Sequence, residues 1–206
     1  MESSVQAENG LTDSAYRFSH IQNGDRLAAI CQEMEYLNTI GKRFVAAIDR
    51  FQVHRALLAA LQELYSFSAC SILLTGDPFD LFIIPRYPLC EAFLQAMIQR
   101  IASAASVIDF PHMDVEDLAS AAYLDAPDEL STAKNSDSAG GTEIGACLNI
   151  PLTVENRIVG MLSLFDEHAG TFDSELLKLT TMIADYAAVA LENVRLREAG
   201  REGGMP

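Results

Sequence analysis

Leu27, Ile30, Met34, Leu37, Gly41, Phe44 and Ile48 recur at alternating spacings of three and four. On a helix of 3.6 residues per turn these positions fall on one stripe, so the segment reads as an amphipathic helix whose seam needs a cover. That cover is either the sheet of its own domain or a partner helix; a second stripe, Ala28, Cys31, Tyr36, Ile40 and Ala47, is less regular. The last apolar segment makes a similar demand. From Thr171 to about Ala199, one helical face carries Leu176, Ile183, Ala187, Ala190 and Val194, and another carries Leu179, Met182, Tyr186, Val189 and Leu196. A helix on a monomer's surface needs only one apolar face, whereas a helix sandwiched within its domain is apolar all round. The other solution is a helical homodimer seam. Its expected members are Leu27, Ile30, Met34 and Leu37 with Met182, Tyr186, Val189, Asn193 and Leu196, Asn193 setting register if buried.

The 206 residues suffice for one domain with a sizeable core and helical extensions. With 14 basic residues against 29 acidic ones, the net charge of -15 repels a polyanion and excludes nucleic acid as the expected partner. The N-terminus, Met1-Glu2-Ser3-Ser4, has no signal-peptide core, and no apolar run reaches membrane-spanning length. The expectation is a cytoplasmic protein without a membrane partner. Cys31, Cys70, Cys90 and Cys147 are widely spaced with no CxxC, so neither a disulfide framework nor a metal site is expected.

Residues 1–24 read as a flexible leader, 25–199 as a single domain including its terminal helices, and 200–206 as a flexible tail. Within the domain, Phe51–Tyr65 is an expected helix buried through Val53, Leu57, Leu58, Leu61 and Leu64. Ala69–Thr75 and Phe79–Ile84 form a hairpin about Gly76-Asp77-Pro78, and Glu91–Ala105 is a helix. Asp114–Tyr123 reads as a short acidic helix. Asp125–Gly141 is nearly free of apolar side chains and reads as a long loop. Ala146–Leu152 and Arg157–Phe165 are strands, and Gly160 marks a bulge or a close backbone approach. Thr171 or Asp173 is positioned to cap the last helix, and Gly200 to end it.

The element order and the C-terminal third resemble the GAF family. The specific residues are Pro151-Leu152, Gly160-Met161-Leu162-Ser163-Leu164, Phe172, Leu176-Leu177, Ala184, Ala187 and Ala190-Leu191-Glu192-Asn193-Val194-Arg195-Leu196. Residues 51–84 resemble the family moderately, and 88–145 only in outline. The resemblance implies an α+β, GAF-like (PAS-related) fold. Its sheet would be antiparallel, of five or six strands, with long N- and C-terminal helices on one face and a small-molecule pocket on the other. It also implies a regulatory or sensory module that pairs through its terminal helices and signals to an output domain not named by this sequence.

The known GAF chemistries fit these residues poorly. The cyclic-nucleotide set of Asn-Lys, Phe and Asp-Glu is imitated only at its end, by Phe165-Asp166-Glu167, while Lys134-Asn135 is reversed. No Cys-His pair exists for a bilin; Cys90 is followed by Glu91. A reductase of a small sulfoxide would need paired reactive cysteines and an aromatic cage, and the chain has no Trp. His112 is the single candidate for haem; His20, His54 and His168 are scattered, and GxSxG, Walker A and HExxH runs are absent. The expectation is a non-enzyme with no cofactor identified. If a ligand binds, Arg86 would hold an anion and Tyr87 and Phe110 would stack a flat ring, beside Cys90, Phe93 and His112. Alternatively the pocket is closed by Phe82, Ile84, Phe93 and Leu162, leaving a ligand-free dimerisation or protein-interaction module. A sulfoxide oxidoreductase is the third reading.

Overall fold

The computed structural model describes residues 28, 30–76, 79–108, 115–124, 143–172 and 174–202. It divides into two compact units, one ending at Thr39 and one from Ile40 onward. Helix α1 covers residues 30–46. In its first part Ile30 and Met34 are exposed and Leu37 is buried. Leu27, Phe110, His112 and the loop expected over 125–141 lie outside the described residues, as do most of the expected leader and tail.

The second unit continues through α2 (Arg50–Leu64), β1 (Ala69–Leu74), β2 (Asp80–Pro85), α3 (Glu91–Val107), α4 (Val115–Ala121), β3 (Ala122–Leu124), β4 (Ala146–Val154), β5 (Arg157–Asp166) and α5 (Ser174–Glu202). Local chemistry explains the boundaries. Asp49 Oδ1 accepts from the Gln52 amide at 2.8 Å and caps α2. Cys90 does the same for α3, its Sγ accepting from the Phe93 amide at 3.4 Å. The β4–β5 hairpin turns through Glu155 and Asn156, whose φ values of 49° and 61° give the two left-handed residues of a tight turn. Thr171 does not cap α5. Its hydroxyl is bonded to Asp166 Oδ1 and the His168 carbonyl, both at 2.9 Å. Helix α5 also runs through Gly200 to Glu202 instead of stopping near Ala199; one glycine costs a helix only about 1 kcal/mol.

The five strands lie in the order β3-β2-β1-β5-β4. The sheet is mixed, not wholly antiparallel as expected, because β3 runs parallel to β2, with Phe82 opposite Tyr123. This strand was hidden in the sequence by the helix before it: the acidic stretch expected as helix to Tyr123 ends at Ala121. Gly160 is a site of close approach: a Cβ there would sit 2.6 Å from the Leu73 carbonyl oxygen. The strand is also bulged beside it: Leu152 pairs with Gly160 and Thr153 with Ile158, which leaves Val159 of β5 as the extra residue.

Strand alternation assigns the two faces. Ala69, Leu73, Leu81, Ile83, Met161 and Phe165 pack with Phe93, Met97 and Ile101 of α3. The intervening residues, among them Ile72, Phe82, Ile84, Leu162 and Ile150, face the other way, where α2 and α5 pack. Phe82, Ile84 and Leu162 therefore do not enclose a pocket with Phe93; the sheet separates them.

His54, on α2, is 1% exposed and lies against Phe82 at a ring-centroid distance of 4.4 Å. Phe51 lies edge-on to both rings. Neither His54 nitrogen finds a hydrogen-bond partner among the described residues. Burial, reinforced by Arg50, lowers its pKa from 6.5 to about 4. The folded state thus holds a neutral imidazole that the unfolded chain protonates first, so His54's contribution is complete above pH 6.5 and is lost as pH falls toward 4. The loss should reach about 3 kcal/mol at pH 4. Denaturant titrations near neutrality and near pH 5 should show His54→Leu losing much less stability on acidification than the parent chain. Equal losses in the two proteins would contradict this account.

Candidate functional site

Two polar arrangements stand out on and beside the α3 face. One is a row across the middle of the sheet. Ser71 of β1 pairs with Ser163 of β5, which in turn pairs with Asn149 of β4. Both serines are fully buried, and among the described residues neither hydroxyl has a hydrogen-bond partner. A buried hydroxyl without a partner is costly, so the strip beneath α3 is chemically primed for a polar atom. Asn149 is exposed, and its side-chain oxygen accepts from Cys147 Sγ at 3.6 Å.

The other arrangement gathers at the sheet end where β1 begins and β2 and β5 finish. The Ser68 amide donates to the Phe165 carbonyl, and its own carbonyl accepts from the Arg86 amide, both at 2.9 Å. Its hydroxyl bonds the Tyr87 hydroxyl, donates to Asp166 Oδ2 at 3.3 Å and accepts from the Glu167 amide at 3.4 Å. The buried Asp166 carboxylate also accepts from the His168 amide at 2.8 Å and from Thr171 Oγ1 at 2.9 Å, and it contacts His168 Nδ1 at 3.1 Å. Asp166 thus lies between Ser68 and His168. A nucleophile needs the imidazole next to the hydroxyl, so this is a structural knot and not a triad. Tyr87 is held above its ordinary pKa, chiefly by burial and then by Glu167 and Asp166 against the Ser68 bond.

Of the residues expected to hold a ligand, Arg86, Tyr87, Cys90 and Phe93 are described. Arg86 is exposed, with Nη1 3.5 Å from Ser66 Oγ. Tyr87 is tied into the Ser68 knot. Cys90 is half-buried at the start of α3, and Phe93, 1% exposed, is part of the packed core. The serine row was missed because it depends on register. A Ser inside each of two apolar strands was visible, but their pairing was not.

On the outer side of α5, Met182, Tyr186, Val189 and Leu196 are 37%, 42%, 49% and 55% exposed, and Asn193 is exposed with them. Phe44, Val45, Tyr186, Val189 and Asn193 line an apolar groove of about 360 Å³. Gly41 interrupts the α1 seam where the Tyr186 ring lies over it, 3.9 Å from where a Cβ would stand. Among the described residues, no cluster of His, Cys, Asp or Glu could hold a metal, and no helix is long and apolar enough to cross a membrane.

The sequence model of the GAF domain matches residues 49–192, and the chain belongs to this family of regulatory and sensory modules of signalling proteins. Solved structures similar to it include the GAF domain of a phosphoenolpyruvate-protein phosphotransferase from Coxiella burnetii, at 17% identity and TM-score 0.49, covering 81% of this chain and 96% of that one. A domain of a putative two-component sensor histidine kinase from Sinorhizobium meliloti is 20% identical at TM-score 0.43, covering 73% and 95%. Free methionine-R-sulfoxide reductase from Neisseria meningitidis, solved with its substrate, is 18% identical at TM-score 0.45, covering 80% and 91%. No curated protein matches the chain.

The cysteines give a direct chemical test of the site. Burial pushes the fully buried Cys70 thiol up to about 12 and raises Cys147, while Cys31 is exposed. Since the thiolate is the reactive form, a maleimide or iodoacetamide should modify Cys31 in the native protein and leave Cys70 untouched until denaturant is added. Peptide mapping by mass spectrometry reads this directly. Modification of Cys70 at the pace of Cys31 would contradict the burial described.

Proposed function

We propose that the chain is a cytoplasmic regulatory module that dimerises through its last helix and passes the state of its sensory face to an output domain or protein. The observation that carries this reading is the outer stripe of α5. Met182, Tyr186, Val189, Asn193 and Leu196 follow heptad spacing, yet the single chain leaves them exposed while the opposite stripe, including Ile183, Ala187 and Val194, is buried. A monomer would leave that apolar stripe in water, and a second copy covers it by symmetry. Asn193, amid the apolar positions, would favour one register over its neighbours.

Ligand sensing on the α3 face is supported by the unpartnered Ser71 and Ser163 hydroxyls, which suit a small polar molecule. The ligand-free interaction module is favoured by a different observation: Phe93, Met97 and Ile101 already fill the space above much of the same face. A regulatory reading in preference to a sulfoxide reductase is supported by the buried Cys70 and half-buried Cys147, both shifted away from the reactive thiolate.

Native mass spectrometry of protein purified gently from its source cells tests the assembly and the ligand together. A dimer carrying a reproducible added mass supports the sensor, and a bare dimer supports the interaction module. Tyr186→Glu and Val189→Asp should each convert the dimer to a helical monomer, because a charge buried in an apolar seam costs several kcal/mol. A parent chain that is monomeric at tens of micromolar would overturn the dimer proposal.

A further inference from the structure

The other face of the sheet carries a second cavity, of about 560 Å³, where α5 crosses the ends of β1 and β5. Its size is within the range that holds small molecules. Leu74, Leu191, Val194 and Ala199 supply an apolar lining. Around them the charges are sorted by sign into two groups. At one end Arg50 donates from Nη1 to Asp80 at 2.9 Å and from Nη2 to Glu198 at 3.0 Å. At the other, Glu192 accepts from Arg157 at 2.7 Å and from both Nε and Nη2 of Arg195 at 2.8 Å.

One arginine against two carboxylates leaves the first group with a formal charge of -1, and two arginines against one carboxylate leave the second with +1. Arg195, then Arg157, hold the Glu192 carboxyl down to about 2, so the second group stays at +1 throughout the neutral range. Arg157 and Arg195 are 58% and 55% exposed, and the contacts to Glu192 engage one guanidinium nitrogen of Arg157 and two of Arg195. At the other end Asp80 and Glu198 are 45% and 40% exposed, with carboxylate lone pairs beyond those Arg50 occupies. Arg195 and Glu198 lie three residues apart on α5, a rise of about 4.5 Å, so one helix face presents both a basic and an acidic side chain to the same cleft.

We infer that this cleft is a binding site for a small zwitterion whose ammonium and carboxylate groups are held apart by an apolar chain, as in an ω-amino acid. The carboxylate sits against Arg157 and Arg195, the ammonium against Asp80 and Glu198, and the methylenes cover Leu74, Leu191 and Val194. A simple anion meets the acidic end and a simple cation the basic end, so neither satisfies both. The site is separate from the α3 face and independent of whether that face binds a ligand.

The test uses the full chain with methyl-labelled Leu and Val, titrated with glycine, β-alanine, γ-aminobutyrate, 5-aminopentanoate and 6-aminohexanoate, and with hexanoate and hexylamine as single-charge controls. The expected result is a set of shifts centred on Leu74, Leu191 and Val194, with affinity rising along the series to an optimum beyond glycine. Each single-charge control should bind about tenfold or more weakly, the scale of one lost charge-assisted contact. Arg195→Met and Glu198→Gln should each weaken the best ligand by a similar factor, and Glu198→Gln, which breaks only an exposed ion pair, should leave the melting temperature nearly unchanged. Hexanoate binding as well as 6-aminohexanoate would overturn the zwitterion assignment in favour of an anion site. Shifts confined to the α3 face, or none up to about 10 mM of every member, would overturn the site itself.

Discussion

The pairing of β1 with β5 holds the molecule together, because it joins the two halves of the chain at the centre of the sheet. Ala69 lies opposite Phe165 and Leu74 opposite Gly160, and every other strand is added outward from that pair. The contact is close: at Gly160 the Leu73 carbonyl occupies the space of a Cβ, so a side chain there would push the two strands apart. The Ser68 knot closes one end of the pair, with the Phe165 carbonyl, the Arg86 amide and the Asp166 carboxylate all bonded to one residue.

This pairing also separates two kinds of surface. On the α3 side the sheet meets Phe93, Met97, Ile101 and Leu118, with polar interruptions at the buried Ser71 and Ser163. On the α5 side the helix meets β4 and β5 through small residues, Ala184, Ala187 and Ala188, which let the helix axis lie near the strands. Ile183, Leu191 and Val194 are buried with the alanines, while Met182, Tyr186, Val189 and Leu196 lie on the outer stripe. The apolar character that made this helix read as two-faced thus has two causes: close packing inward, and an uncovered seam outward.

Periodicity made most elements legible. The strands from Ala69 and Arg157 and the helices from Arg50 and Glu91 fall within a few residues of their expected limits, since each has a clear apolar pattern and a residue that ends it. What was not legible depended on neighbours in space. β3 is three residues long, too short for any period to appear, and exists because Phe82 and Ile83 offer an open edge. The facing of Phe82 away from Phe93, the meeting of Ser71 with Ser163, and the sorting of six charges around one cavity all follow from register. Register is a property of pairs of segments, and one segment's composition does not contain it.

Helix α5 is shared by the outer stripe and the charged cleft. Its inner stripe lies on the sheet, its outer stripe is open for a partner, and its last turns carry Glu192, Arg195 and Glu198 into the charged cleft. A bound molecule alters signalling only if it favours one position of this helix over another. The Arg50–Glu198 ion pair that holds the last turns of the helix is solvent-facing and weak, worth about 1 kcal/mol or less. The alanine packing nearer the helix start is buried and stiff. Displacement is therefore easiest at the C-terminal end, beyond the sheet, where the cleft's charges act on it directly. A ligand contacting Arg195 and Glu198 at once would restrain that end, whereas one beneath α3 must act through the sheet and the Asp166 knot to reach it.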